Sequence, residues 1–216
     1  MALNINGTTG ISGVDGSVSA PALTGTDSNT GITFPAADTI KFATGGVERM
    51  SITNSGVSGI TAGITQADQW RTTSYFDASS TTLVNANWER NDTDFALIGS
   101  GMTESSGIFT FPATGIYKID FVLVWYRSAA QNIRYVASNI ETTTDNSNFN
   151  LRGLAYGNLP NDAGVHATIS QNIIFDVTDT STHKVRFRVE AEDTVTFLGE
   201  TSRNQTCATF IRLGDT

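Results

Sequence analysis

The sequence predicts an all-β protein in which a two-sheet sandwich or jelly roll is preceded by an extended, β-rich amino-terminal stalk or arm. From residue 70 onward, apolar and polar residues alternate with a period of two in several runs, which is typical of half-buried strands. Turn-rich segments such as "TTTDNSN" and "GNLPNDAG" separate these runs, and no segment shows a helical period with caps. About eight short strands at this spacing are typical of a sandwich or a jelly roll.

The chain of 216 residues divides into two parts that differ in their capacity to form a core. All three tryptophans and all five tyrosines lie after residue 69, whereas residues 1–63 hold 11 of the 20 glycines and only two aromatic residues, Phe34 and Phe42. Such a composition is common in linkers and disordered segments. Against that alternative, paired apolar runs at 40–42 and 50–52 indicate strands. We therefore predict a β-rich stalk or attachment arm at 1–63 and a sandwich domain at 64–216.

Residues 41–56, "KFATGGVERMSITNSG", are predicted to form a β-hairpin. A three-residue loop of Thr44, Gly45 and Gly46 would place Ile40 opposite Met50. Four apolar residues would then share one face of the hairpin: Ile40, Phe42, Met50 and Ile52. About four such side chains are too few to hold an isolated hairpin folded in water, but three copies facing one another around an axis could bury them. These four residues are therefore predicted to be inter-chain contacts of a trimeric stalk.

Three long strands of the sandwich are predicted from their alternation. Their apolar residues of one parity are Tyr117, Ile119, Phe121, Leu123 and Trp125 in the first, Ile169, Ile173, Phe175 and Val177 in the second, and Val185, Phe187, Val189 and Ala191 in the third. The first of these runs, "GIYKIDFVLVWY", is apolar on both faces at its far end. It is therefore predicted to be a central strand that is buried on both sides.

Charge and hydropathy exclude several classes of function. The net charge is −8 and there is no basic run, so neither nucleic acid nor an anionic membrane surface is an expected partner. No apolar stretch reaches the roughly 18 residues of a membrane span, and the amino terminus does not resemble a signal peptide. We expect a soluble product of the cytoplasm that does not insert into a membrane. The single cysteine, Cys207, excludes an intrachain disulfide and is expected to be a buried thiol.

No catalytic residue is predicted. The two histidines, His166 and His183, are expected at the surface or at a strand edge, and no nucleophile-elbow motif is present. Glu190 and Glu192 would share a face if their strand continues, which leaves open a pair of carboxylates of the kind used by glycosidases. A strand that runs into a polar turn is the simpler interpretation of these residues.

No cofactor is predicted, with calcium as an open alternative. The oxygen-rich loops are "TTTDNSNFN", with Asp145, Asn146, Asn148 and Asn150, and "RNDTDF", with Asp92 and Asp94. Neither has the spacing of an EF-hand loop, and side chains of these types commonly form turns.

Residues 109–121, "FTFPATGIYKIDF", resemble the signature of the C1q and tumour-necrosis-factor-like jelly-roll superfamily. The matching positions are Phe109, Phe111, Pro112, Gly115, Tyr117 and Phe121, and the closing strand "ATFIRL" matches with Phe210, Ile211 and Leu213. Pro112 and Gly115 would form the turn between two strands. The resemblance covers roughly residues 70–214. It implies a homotrimer of jelly rolls, and it raises the expectation of calcium because some C1q-like domains bind this ion.

The hairpin has a resemblance of its own, to a segment that is common in bacteriophage tail-fibre proteins. Gly45, Gly46, Glu48, Arg49, Met50 and Ile52 carry it. It implies a trimeric tail fibre of the virion, made soluble in the host cytoplasm, whose amino-terminal part docks on other virion proteins and whose carboxy-terminal knob contacts a glycan or protein of the host surface.

Two alternatives remain open at this point. The chain is short enough to be a capsid decoration, head-fibre or cement protein, and a carbohydrate depolymerase is a weaker possibility. Receptor contact is expected at three polar connections of the sandwich, at residues 77–83, 141–150 and 157–166.

Overall fold

A computed structural model describes residues 4–6, 10–12, 15–60, 63–130, 133–158 and 160–216. Over these residues the chain forms twenty-two strands and no helix, which confirms the all-β prediction. The chain separates into two compact units, Met1–Gly63 and Ile64–Thr216. Because the described residues contain no helix, they contain none that is long and apolar enough to cross a membrane.

The amino-terminal unit consists of short antiparallel strands. They are β1 (Asn4–Asn6), β2 (Gly10–Ser12), β3 (Gly16–Ser17), β4 (Ala20–Pro21), β5 (Leu23–Thr24), β6 (Gly31–Thr33), β7 (Ile40–Thr44), β8 (Val47–Thr53) and β9 (Gly56–Ser58). β1 pairs with β2 and β3 with β4, and the remaining five strands form one sheet in the order β5-β6-β7-β8-β9. Each strand of that sheet therefore pairs only with its neighbours in sequence.

The carboxy-terminal unit has thirteen strands, whereas about eight were predicted. They are β10 (Ala67–Thr72), β11 (Phe76–Ala78), β12 (Thr82–Leu83), β13 (Trp88–Arg90), β14 (Thr103–Ser105), β15 (Ile108–Thr110), β16 (Gly115–Tyr126), β17 (Val136–Thr143), β18 (Asn150–Gly157), β19 (His166–Val177), β20 (Lys184–Ala191), β21 (Val195–Phe197) and β22 (Cys207–Gly214). Those that the prediction lacked, such as β11 and β14, have three residues each. So few residues cannot display a period of two.

Two antiparallel sheets form this unit. The first sheet has seven strands, with the order β11-β21-β16-β22-β10-β13 and with β19 also paired to β16. The second sheet has six strands, with the order β14-β15-β20-β17-β18 and with β12 paired to β20. The inward faces of the two sheets share one hydrophobic core, as in a β-sandwich.

The alternation of the long strands is confirmed, with one correction. Val185, Phe187 and Val189 on β20 are fully buried, and β16 lies between β19 and β22 as a central strand. However, β16 is not buried on both sides at its far end. Val122 and Val124 are only half-buried, because they project from the outer face of the first sheet, which no layer formed by the described residues of this unit covers.

The signature aromatic residues lie in the core. Phe109 is fully buried, with its ring centroid 5.2–5.5 Å from those of Trp70, Trp88, Phe187 and Phe210. Such edge and tilted ring contacts add to the energy of area burial. Phe111, Tyr117 and Phe121 are also buried, whereas Leu213 at the chain end is 53% exposed.

A hydrogen bond and a steric restriction constrain the turn before β16. The hydroxyl of Tyr117 donates a hydrogen bond to the carbonyl oxygen of Ala113, at 3.0 Å, and so closes the segment that contains Pro112. Gly115 has a φ of 143°, and a Cβ there would lie 2.4 Å from Nε of Arg212. A larger residue would therefore push apart β16 and β22.

Candidate assembly and binding surfaces

The five-stranded sheet of the amino-terminal unit has one apolar face. Cross-strand neighbours in an antiparallel sheet project to the same side, and the register pairs Leu23 with Ile32, Ile32 with Phe42 and Ile52 with Val57. The complete apolar face consists of Leu23, Ile32, Ile40, Phe42, Met50, Ile52 and Val57. In the single chain, Leu23 is 44% and Val57 59% exposed. The four residues predicted as stalk contacts form the middle of this face.

The predicted register of the hairpin is wrong by two residues, although the shared face is as predicted. Ile40 lies opposite Ile52, and Phe42 lies opposite Met50. The loop has two residues instead of three, because Gly45 and Gly46 both adopt positive φ, of 60° and 74°, as a tight hairpin turn requires. A bulge follows, since the register shifts between Phe42 and Ala43. The bulge offsets the shorter loop, and all four apolar side chains remain on one side.

The other face of the same sheet carries small and polar side chains. Thr33, Ala43 and Ser51 lie there and are almost fully buried, and Ser51 shares a 2.7 Å hydrogen bond with Ser58. Lys41 lies on this face as well. The large apolar residues of the strands are thus sorted onto one side of the sheet and the small or polar ones onto the other.

An open groove of about 400 Å³ lies at one end of the apolar face. Its walls include Phe34, Ile40 and Ile52, and its rim carries Asp38 and Asn54, which share a 3.0 Å hydrogen bond. Phe34, Ile40 and Ile52 are each 37–38% exposed. The groove therefore extends the apolar face without being filled by this unit.

The outer face of the first sheet of the sandwich is a second partly apolar surface. Ile174 on β19 is 68% exposed, and it flanks Lys118 of β16 together with Ile211 of β22. Farther along β16, Val122 and Val124 project to the same side. Toward the end of the strand, Tyr126 stacks on His166, with ring centroids 5.3 Å apart, and Tyr75 meets Tyr126 edge-on at 6.3 Å.

The prediction missed a buried polar cluster next to the core, centred on Asp68. This carboxylate is 3% exposed and accepts hydrogen bonds from Nε of Arg90 at 3.0 Å, from the indole N–H of Trp70 at 2.9 Å and from the backbone N–H of Met102 at 2.7 Å. The guanidinium carbon of Arg90 also lies 4.8 Å from the centroid of a Trp70 ring. The cluster joins β10, β13 and the segment before β14. Along the chain, the partners of Asp68 lie 2 to 34 residues away from it, and they form no sequence motif from which the cluster could be predicted.

The two candidate carboxylates, Glu190 and Glu192, are both engaged by neighbours. β20 ends at Ala191, so Glu192 lies beyond the strand. Glu190 accepts a 2.9 Å hydrogen bond from the hydroxyl of Tyr135, and Glu192 accepts one of 2.6 Å from Nε of Arg134. Hydrogen bonds from Arg134 hold the pKa of Glu192 below its usual range. A glycosidase general acid needs the opposite shift.

One of the two histidines departs from its expected environment. His166 is exposed, as expected, but His183 is only 8% exposed. Its ring nitrogens lie 3.2 Å from the hydroxyl of Thr178 and 3.1 Å from that of Thr182, and its ring packs 5.7 Å from Phe175. His183 therefore belongs to the turn that leads into β20, where it is held by hydroxyl groups and an aromatic ring.

The oxygen-rich loops are used for turns and ion pairs. One carboxylate oxygen of Asp145 accepts hydrogen bonds from the backbone N–H groups of Ser147 and Asn148, and the other accepts one from the side chain of Asn148. These bonds, with that from Asn148 the largest, lower the pKa of Asp145. Asp92 pairs with Arg71 at 2.7 Å. Within the described ranges, no group of three or more His, Cys, Asp or Glu side chains is placed to hold a metal ion.

Two of the three connections predicted to contact a receptor are shorter than expected. Residues 77–78 and 82–83 belong to β11 and β12, and residues 141–143 belong to β17, so only the tips of these segments are loops. An open depression of about 180 Å³ lies at the first connection, lined by residues 76–77 and 82–87. The third connection runs from the end of β18 at Gly157 to the start of β19 at His166.

Cys207 is the buried thiol that the sequence predicts. It is 7% exposed at the start of β22, and burial raises the pKa of its thiol to about 11.

Comparison with known proteins supports the fold. No protein-family model and no curated protein matches the chain. Solved structures do match it. The crystal structure of murine APRIL at pH 5.0 aligns with a TM-score of 0.50 and 13% identity over 68% of this chain and 98% of that one. Eiger TNF from S. frugiperda aligns with a TM-score of 0.54 and 10% identity over 71% of this chain and 96% of that one. The chain therefore contains a jelly roll of the tumour-necrosis-factor type, and at these identities the likeness concerns the fold alone.

Proposed function

We propose that the protein is a homotrimeric structural and attachment protein of a bacteriophage particle, built as a short tail fibre. Its amino-terminal unit would associate with its own copies and dock on other virion proteins, and its jelly-roll knob would contact the host surface. The observation that carries this proposal is the apolar face of the five-stranded sheet, whose side chains are not covered by any layer among the described residues of their own unit.

The energy of that face favours association. Covering the exposed parts of its seven apolar side chains would contribute on the order of 10 kcal/mol per chain, at about 25 cal/mol per Å². The opposite face is already closed by small and polar residues, so only the apolar side is left for other copies. Three equivalent sheets around an axis would bury it in a closed assembly, without leaving an unmatched surface that could grow into a filament.

The knob supplies a second region for self-association. Ile174, Ile211, Val122 and Val124 make the outer face of the first sheet partly apolar, and Tyr126 adds an aromatic contact. Threefold presentation of the knob, repeated over several fibres, would let shallow and individually weak receptor contacts add up to firm attachment.

The assignment to a virion rests on the hairpin of residues 40–53, whose sequence resembles tail-fibre segments. The structure places the glycines of this motif in the turn and its Met50 and Ile52 on the apolar face. These are the roles that an inter-chain segment would need. A capsid decoration protein would use the same construction, and the number of copies per particle separates the two locations.

The test is the mass of the native protein by light scattering, followed by its copy number in purified particles. We expect a mass near three times 23.0 kDa, with a few copies at the tail. Three chains with tens to hundreds of copies would assign the protein to the capsid. A monomer would overturn the proposal, because the apolar face would then remain in water.

A further inference from the structure

The outer face of the second sheet of the sandwich carries an aromatic and charged cluster at one end. Tyr156 on β18, Ala137 on β17 and Glu190 on β20 are consecutive cross-strand neighbours, so they project to the same side. Tyr156 is 62% exposed, while Ala137 between the other two is fully buried. The surface therefore has a shallow depression at Ala137, with Tyr156 on one side and the Glu190 carboxylate on the other.

Tyr135 spans this row and fixes its geometry. Its hydroxyl donates to Glu190 at 2.9 Å, and its ring meets the ring of Tyr156 edge-on, at 5.5 Å and 89°. The ring contact fixes the orientation of the Tyr156 ring, and the hydrogen bond fixes the orientation of the Glu190 carboxylate. An aromatic face and a hydrogen-bond acceptor are thus positioned before any ligand arrives.

A paired guanidinium and carboxylate extend the cluster. Arg134 donates to Glu192 from its backbone N–H at 2.8 Å and from Nε at 2.6 Å, and the side-chain bond to the Glu192 carboxylate raises the pKa of Arg134. The Arg134 side chain is still 76% exposed, so it remains accessible to a ligand from solvent. The cluster therefore offers planar donors and planar acceptors beside two aromatic rings.

We propose that this cluster, Arg134, Tyr135, Tyr156, Glu190 and Glu192, binds neutral glycans of the host surface. A sugar presents an apolar C–H face that packs on an aromatic ring, and its hydroxyl groups both donate and accept hydrogen bonds. The acidic balance of the site, with two carboxylates to one guanidinium, and the net charge of −8 disfavour a negatively charged glycan. The inference rests on the proposed function, since it names the ligand of the knob.

The position of the cluster fits that role. It lies on the outer face of the second sheet, whereas the surface assigned to self-association lies on the outer face of the first. These faces are on opposite sides of the sandwich. A trimer that buries the first face leaves the cluster open to solvent, and it displays three copies.

The test is native affinity electrophoresis of the full chain in gels that contain dextran, mannan or galactan, with polygalacturonate as the acidic counterpart. We expect at least one neutral polysaccharide to retard the protein. Tyr156→Ala should weaken the interaction by roughly threefold to tenfold, the range expected for the loss of an aromatic contact. Tyr135→Phe, which keeps the ring and loses the hydroxyl, should weaken it less. Leu97→Ala is the control, since it removes a 39% exposed apolar side chain elsewhere on the knob and should leave binding unchanged.

Light scattering on each variant separates this inference from the proposed function. A wild-type trimer that none of the neutral polysaccharides retards would overturn the glycan site and leave the trimer standing. Retardation by polygalacturonate alone, or an equal effect of Leu97→Ala and Tyr156→Ala, would overturn it as well. A monomer that is retarded through Tyr156 would overturn the proposed function and support the site.

Discussion

Single residues of this protein show which buried positions a local sequence pattern can predict and which it cannot. Phe109, Phe111 and Phe121 are recognisable from a short motif, and all three are buried in the core. Asp68 is as deeply buried, but two of its partners, Arg90 and Met102, lie outside its own strand. Its burial depends on a tertiary contact with Arg90, 22 residues away, that no spacing rule describes.

The Asp68 cluster yields a prediction for stability. Asp68→Asn removes the negative charge that pairs with Arg90. It also places an amide NH₂ group, which is a donor, among the N–H donors that the carboxylate accepts from in the wild type. Breaking a buried pair in this way is expected to lower the free energy of unfolding by about 3 kcal/mol. Glu200→Gln is the control, because Glu200 pairs with Arg203 at a more exposed site and its loss should cost far less. Urea denaturation of both variants checks this, and equal losses would contradict it.

Cys207 yields a prediction for pH dependence. The folded chain keeps the thiol protonated, since burial raises its pKa from 9.0 to about 11. The unfolded chain therefore releases this proton at lower pH than the folded chain does. The contribution of the thiol to stability is complete below pH 9 and is lost as the pH rises toward 11. The stability difference between wild type and Cys207→Ala should be constant below pH 9, and wild type should lose stability relative to the variant as the pH rises from 9 to about 11. A difference that stays constant over that range would refute the effect.

At the scale of strands, long strands are easier to predict from the sequence than short ones. β16, β19 and β20 have eight to twelve residues and show their alternation clearly, so their inward faces were predicted correctly. Strands of three residues, such as β11 and β14, are defined by pairing with a neighbouring strand and leave no period to detect. The hairpin of β7 and β8 was recognised, but its register was not. Two consecutive residues of positive φ and a bulge decide that register, and neither is visible in a pattern of apolar residues.

The apolar face of the hairpin yields a prediction for assembly. Met50→Asp places a charge in the middle of that face, which is costly once other copies cover it. We expect cleavage within residues 1–63 to become roughly tenfold faster in limited proteolysis, while the knob stays folded and the mass stays at three chains. Ser55→Asp introduces the same charge in an exposed turn and should change neither quantity. Loss of the trimer in Met50→Asp would show that the two units do not assemble independently.

At the scale of the whole molecule, charge and apolar surface are distributed differently. The chain has a net charge of −8, yet the surfaces that we assign to self-association are mainly uncharged. Acidic copies repel one another at long range and attract only when the apolar faces meet. Specific assembly therefore depends on shape and burial more than on ion pairs.

The salt dependence of the trimer tests whether apolar burial or ion pairs hold the copies together. Raising the salt concentration to about 1 M shortens the screening length to about 3 Å and suppresses the repulsion between acidic chains. The trimer is expected to persist or to become more stable, as measured by light scattering at limiting protein concentration. Dissociation in high salt would mean that ion pairs hold the copies together and that the apolar faces are not the interface.

The order of strands in the amino-terminal sheet bears on how such an assembly could form. Because each strand pairs only with its neighbours in sequence, every contact within the sheet is local, and sheets of low contact order fold quickly. Each chain can complete its own sheet before it meets another chain. Trimer formation is then an encounter between prefolded surfaces, with no need for chains to wind around one another. The slow step becomes bimolecular, so the rate of assembly should depend on the concentration of the newly made protein.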